Sequence, residues 1–119
     1  MSLLGRIFGG VPSVSVQEAR QLVDGGAVMV DVRSTSEWNA GHSPFAKHMA
    51  REQLAAKQHR IPVGKKAVVV CRSGSRSRGA TKHLIAAGYD AVNLSGGMNA
   101  WVRQGQMVVN RAGKPGRVA

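Results

Sequence analysis

The only cysteine of this 119-residue chain, Cys71, is followed by Arg72-Ser73-Gly74-Ser75-Arg76-Ser77-Arg78. One thiol therefore precedes small residues, a glycine free to take positive φ, and three arginines within seven positions. If this stretch curls so that its peptide N–H groups converge on the sulfur, and a helix opens at its far end, the amides and the helix N-terminus create positive potential at the thiol. Such surroundings lower a cysteine from about 8.5 to roughly 3.5–7.5, leaving a nucleophilic thiolate that needs no general base. The arginines suit an anionic reactant. Ser73, Ser75 and Ser77 offer hydroxyl donors, although Ser75 and Ser77 suit helix capping equally well. The competing reading is a small buried core cysteine with turn residues after it. Its place at a strand-to-helix junction, ahead of a loop more polar than a crossover requires, favours chemistry. A lone cysteine excludes an intramolecular disulfide, a Cys-based zinc site and a two-cysteine redox pair.

The elements that must position this loop are legible as alternating patterns. Ser15 and Glu18 have capping-box spacing, and Val16, Ala19, Leu22 and Val23 then share a helical face until Gly25-Gly26. Residues 28–32 read as a strand. Ser34 and Glu37 repeat the capping spacing and open a short helix ended by Gly41; residues 51–59 read as another helix. Residues 67–71 are uninterruptedly apolar, the habit of a central parallel strand covered on both faces. A helix over 77–87, a strand over 91–94 and a short helix over 98–103 follow. This alternation predicts an α/β sandwich with a mainly parallel sheet, and Cys71 lies at the carboxyl end of its most buried strand, where open α/β sheets place their ligands.

Cys71 to Ser77 resembles the active-site loop of single-domain rhodaneses, the sulfurtransferases. Asp31-Val32-Arg33 with residues 37–42 (Glu-Trp-Asn-Ala-Gly-His) resembles that family's first signature, and residues 94–101 (Leu-Ser-Gly-Gly-Met-Asn-Ala-Trp) its closing one. Together they cover about residues 14–105. The resemblance implies a rhodanese-like three-layer sandwich with a mainly parallel central sheet flanked by helices, over 14–105, with 1–13 and 106–119 as flexible or peripheral termini. It further implies a Cys71 that takes sulfane sulfur from a donor such as thiosulfate, holds it as a persulfide and passes it to cyanide or a thiol. Arg72, Ser73, Gly74, Ser75, Arg76 and Ser77 would then bind the donor, with Arg72 and Arg76 orienting the dianion. The segment Gly41-His42-Ser43-Pro44-Phe45-Ala46 departs from the family's usual Gly-His-Ile-Pro-Gly-Ala, so Ser43 loses an apolar anchor and Phe45 brings a bulky ring. Related cysteine phosphatases and arsenate reductases place an arginine six positions after the cysteine; here that position is Ser77, and the loop is sized for one sulfur atom. A non-catalytic binding module on the same fold is the other alternative.

The remaining residues set limits. Asp31 and Arg33, two apart on one strand, suit a structural ion pair, and Arg33 is also within reach of Glu37 across the turn. His42, His48, His59 and His83 lack metal-site spacing, so no metal or cofactor is expected, and His42 is expected to hydrogen-bond within the fold. Trp38 and Trp101 read as core. By analogy with the rhodanese fold it resembles, Gly96-Gly97 is expected to let the last strand's exit pass close to the cysteine loop. A net charge of +11 admits an acidic protein as a transient partner, but scattered cations and few aromatics argue against nucleic acid. No apolar run reaches a membrane span, no secretory signal is evident, and a cytoplasmic monomer is expected. The apolar residues of 1–13 are expected to pack on the domain. From Gln104 onward the glycine-containing basic segment reads as a mobile tail.

Overall fold

The computed structural model of the protein describes residues 7, 8 and 10–119. Six strands form one sheet: β1 (Ile7–Phe8), β2 (Val11–Val14), β3 (Val28–Asp31), β4 (Ala46–His48), β5 (Ala67–Val70) and β6 (Ala91–Leu94). Their order is β1-β2-β6-β5-β3-β4; β2 to β4 in this order run parallel, and β1 alone is antiparallel, pairing with β2 at the edge. The helices are α1 (Val16–Asp24), α2 (Thr35–Ala40), α3 (Leu54–Lys57), α4 (Ser75–Ala86) and α5 (Gly97–Arg103).

Burial on both faces explains the unbroken apolar run of β5. Val68 and Val70 join Val14, Met29, Leu94, Met98 and Trp101 on one side of the sheet. Ala67, Val69 and Cys71 join Val30, Leu54, Ile61, Ala80 and Leu84 on the other. Period-two alternation along one strand thus feeds two cores, and three layers result. Both predicted capping boxes are formed. Ser15 Oγ accepts from Glu18 N–H at 3.1 Å while Glu18 returns to Ser15 N–H at 2.9 Å. Ser34 and Glu37 do the same at 3.3 and 3.2 Å, which satisfies donors that would otherwise be orphaned at each helix start.

Several elements differ from the sequence reading. The predicted helix over 51–59 is broken into a 3₁₀ turn (Arg51–Gln53), the four-residue α3 and a second 3₁₀ turn (Gln58–Arg60). Helix α4 opens two residues early, at Ser75, because Gly74 with φ 103° is its N-cap; neither Ser75 nor Ser77 caps it. The sheet also begins earlier than expected. β2 pairs with β6 in the register Ser13 to Asn93, so residues 11–13 belong to the sheet, and residues 1–6 and 9 of the predicted N-terminal segment lie outside the described residues.

The predicted mobile tail is instead laid against α2. Val109 pairs with His42, Arg111 N–H donates to Asn39 O, and Arg117 N–H donates to Ala40 O. Val108 enters the core beside Trp101, whose Nε1 donates to Met107 O at 2.9 Å. The tail carries its own backbone pairing, Asn110 N–H to Lys114 O and Gly116 N–H to Val108 O, which its composition hides. Gly41 and Gly116 allow the contact: a Cβ on Gly41 would stand 2.3 Å from Arg117 O, and one on Gly116 2.7 Å from Ala40 O.

Candidate active site

At the carboxyl edge of the sheet, β5 ends and the chain turns sharply into α4. Cys71 sits at this turn with no accessible surface. Its Sγ accepts Gly74 N–H at 3.1 Å and lies 3.3 Å from the Ser77 hydroxyl. Burial pushes the thiol up, but the Ser77 hydroxyl and the peptide N–H groups of Ser77, Gly74 and Ser73 outweigh it, and the net shift is downward. Gly74 makes this possible, since its left-handed backbone folds the loop back over the sulfur. Of the predicted loop, the Gly74 amide and the Ser77 hydroxyl therefore meet the sulfur, and Ser73 contributes its peptide N–H alone. Arg72, Ser73 and Ser75 are exposed on its outer surface.

The start of α5 and strand β6 brace the loop. Gly97, φ 58°, passes so close that a Cβ there would stand 2.3 Å from Cys71 O and 2.6 Å from Arg72 O. This contact lets Met98 N–H donate to Cys71 O at 2.8 Å and Asn99 N–H to Arg72 O at 3.0 Å. From β6, Asn93 reaches under the loop: its Nδ2 donates to Gly74 O at 3.4 Å, and its Oδ1 accepts the Ser77 hydroxyl at 2.5 Å.

The arginines take separate roles. Arg76 makes a bidentate pair with Glu37 of α2, at 2.7 and 2.8 Å. That bond, assisted by Ser34, overcomes partial burial and lowers the Glu37 carboxyl to about 2; the same bond raises Arg76. The predicted reach of Arg33 toward Glu37 is thus corrected. Arg33 is fully buried, held by Asp31 at 2.7 Å and by Gly41 O, because a desolvated guanidinium keeps the nearest buried carboxylate. The Arg72 guanidinium is exposed and makes no ion pair or hydrogen bond with the described residues.

A rhodanese-like domain model matches residues 15–104. The chain belongs to the rhodanese-like family. A rhodanese-like domain protein from Staphylococcus aureus is 31% identical, with 75% of this chain and 89% of that one covered and a TM-score of 0.69. A rhodanese-related protein from Thermoplasma volcanium is 26% identical over 82% of this chain and 96% of its own, TM-score 0.76. A thiosulfate sulfurtransferase from Pseudomonas aeruginosa shares the fold at 23% identity and TM-score 0.75; 92% of this chain is covered but only 22% of that one.

In this rhodanese-like domain the first signature builds an aromatic stack and not a core. Trp38 is half-buried and stacks with two histidines, His42 at 3.6 Å between ring centroids and His48 at 4.9 Å. Each histidine bonds a main-chain carbonyl at 2.7 Å, Trp38 O for His42 and Arg33 O for His48. Trp101 is core as predicted. Ser43 is buried, and its hydroxyl accepts Phe45 N–H at 3.2 Å, a turn bond in place of the missing apolar anchor. Phe45 stays 43% exposed beneath the Arg20 guanidinium, 4.1 Å from the ring centroid. Asn93 was absent from the sequence reading: a lone polar residue in an apolar strand was its one signal, and only the sheet order brings it to the loop.

Proposed function

We propose that this rhodanese-like domain is a sulfurtransferase that carries sulfane sulfur on Cys71. The observation that carries the reading is the set of donors aimed at one sulfur atom: the Gly74 amide and the Ser77 hydroxyl, with the Ser73 and Ser77 amides adding to the field. They favour the thiolate, and an anionic sulfur attached to it, as an oxyanion hole stabilises oxygen. With thiosulfate as donor, the Cys71 thiolate attacks the outer sulfur, a new S–S bond forms, and the old one breaks with its electron pair leaving on sulfite. The product is a Cys71 persulfide anion. A nucleophilic acceptor then attacks the outer sulfur; cyanide leaves as thiocyanate, and Cys71 returns as thiolate. Charge and atoms balance in both steps with no oxidant.

Arg72, next to the cysteine in the chain, is the guanidinium that draws in the dianion, since Arg76 is engaged by Glu37. Because the sulfur is covered by its own loop, the loop must yield for the donor to enter. A phosphatase reading is weaker here, since a phosphoryl group needs a guanidinium over its equatorial oxygens and Arg76 is turned to Glu37 instead. Intact-mass analysis after thiosulfate treatment tests the proposal: a gain of one sulfur atom, reversed by cyanide with release of thiocyanate and absent in Cys71→Ser. An unchanged mass with thiosulfate and with other sulfane donors would leave a docking module and no sulfur carrier.

A further inference from the structure

The Ser77 hydroxyl has one proton and two acceptors. Asn93 Oδ1 stands 2.5 Å from Ser77 Oγ, and Cys71 Sγ stands 3.3 Å from it. The orientation of the Asn93 amide is set by its other end, since Nδ2 donates to Gly74 O and the acceptor end must then face Ser77. All the groups are buried, Asn93 to 2% exposure, so water offers no substitute donor. A proton shared between a neutral amide oxygen and a neutral thiol sits with the stronger acceptor, the amide. When the sulfur is an anion, the charge-assisted bond is roughly twice as strong and draws the proton over.

We propose that Asn93 is a positioning residue that parks the Ser77 hydroxyl proton and yields it to Cys71 Sγ only while negative charge sits on that atom. Its catalytic consequence rests on the sulfurtransferase reading. In the persulfide, charge lies on the outer sulfur, and the proton returns to Asn93. As the acceptor attacks, charge develops on the departing Sγ and the proton swings back, so the bond is strongest where the leaving group forms. The yielded Asn93 oxygen then needs another donor. Ser13 lies opposite Asn93 in the parallel register of β2 and β6, on the same face of the sheet, and its fully buried hydroxyl has no partner among the described residues. An unsatisfied buried hydroxyl is costly, and its turning toward Asn93 in the charged state supplies the compensation. The charged groups around the sulfur are Arg72 and Arg76, with Glu37 holding Arg76 and the Asp31–Arg33 pair at the end of β3; Asn93 and Ser13 are the neutral polar groups from β6 and β2.

The test needs no sulfur donor, so its failure is separable from failure of the sulfurtransferase reading. Cys71 is the sole thiol, and its thiolate absorbance can be titrated against a Cys71→Ser blank. Removing the competing acceptor in Asn93→Leu is expected to lower the midpoint by about half to one pH unit. Ser77→Ala should raise it, and Asn93→Leu added to Ser77→Ala should cause no further fall. Ser13→Ala is expected to raise the midpoint by a smaller amount. The proposal is overturned by an unmoved or raised midpoint in Asn93→Leu, or by an equal shift with and without the Ser77 hydroxyl. An unmoved midpoint in Ser13→Ala removes Ser13 from the relay. Asn93→Ala gives the same readout should the leucine variant not fold.

Discussion

A cysteine buried among apolar side chains would be an inert thiol; Cys71 differs because its sulfur faces main-chain and hydroxyl donors while its neighbours face hydrocarbon. With its titration lowered, the thiolate fraction reaches one half below the ordinary cysteine range and does not grow further well above it. On the sulfurtransferase proposal, persulfide formation, followed by stopped-flow release of sulfite, is therefore expected to rise with pH through a midpoint lower than that of an ordinary cysteine and then level off. Arg72 carries the other prediction at this scale. On the sulfurtransferase proposal its guanidinium, exposed and unpaired among the described residues, is placed to meet the thiosulfate dianion before the sulfur does, so Arg72→Ala should cut kcat/KM for thiosulfate by about tenfold, mainly through KM. An unchanged KM would show that the donor enters elsewhere.

Elements act here through two ties to the cysteine loop. The Glu37–Arg76 bridge joins α2 to the first turn of α4, where two arginines and no acid stand against the helix dipole. Because the folded carboxyl titrates near 2 and an unfolded glutamate near 4.5, the bridge stabilises the fold above pH 4.5, and its contribution fades as pH falls toward 2. Arg76 is 37% exposed, so screening reduces the gain. Glu37→Gln is accordingly expected to cost about 1 kcal/mol in urea unfolding at pH 7, with the difference from the parent vanishing near pH 2. The second tie is the approach of α5 to the loop at Gly97. A methyl group there meets two carbonyl oxygens at a positive φ, so Gly97→Ala should cost about 2–4 kcal/mol and move the Cys71 titration with it. An alanine variant that unfolds and titrates like the parent would mean the loop holds its shape unaided.

On the scale of the whole molecule, the terminal segment closes the structure as a clasp. Val108 fills the core beside Trp101, and the chain that follows pairs with His42, Asn39 and Ala40 at the end of α2, the helix that carries Glu37. A chain ending at Met107 is expected to lose about 1–3 kcal/mol of stability, read as a lower melting temperature, and to weaken the Glu37–Arg76 tie. Unchanged melting would assign those contacts no energetic role. The six acids are too few to balance 17 cations. Asp24, Asp31, Glu37 and Asp90 are engaged by Arg20, Arg33, Arg76 and Lys66.

By itself the sequence determined the layered α/β architecture, the two capping boxes, the doubly buried β5 and the turn after Cys71, because helix and strand periods, caps and turn glycines act over a few neighbouring residues. It also marked Gly96-Gly97 as the place of close approach, through resemblance and not spacing. The tertiary structure alone decided which partners distant polar groups choose: Glu37 takes Arg76 across 39 positions, Asn93 takes Ser77, and Ser77 faces sulfur instead of capping α4. The basic tail escaped prediction for the same reason. Its composition reads as solvated chain, and its order comes from two glycine-sized gaps and the carbonyls of α2, partners about 70 residues away that only the folded sheet brings within reach.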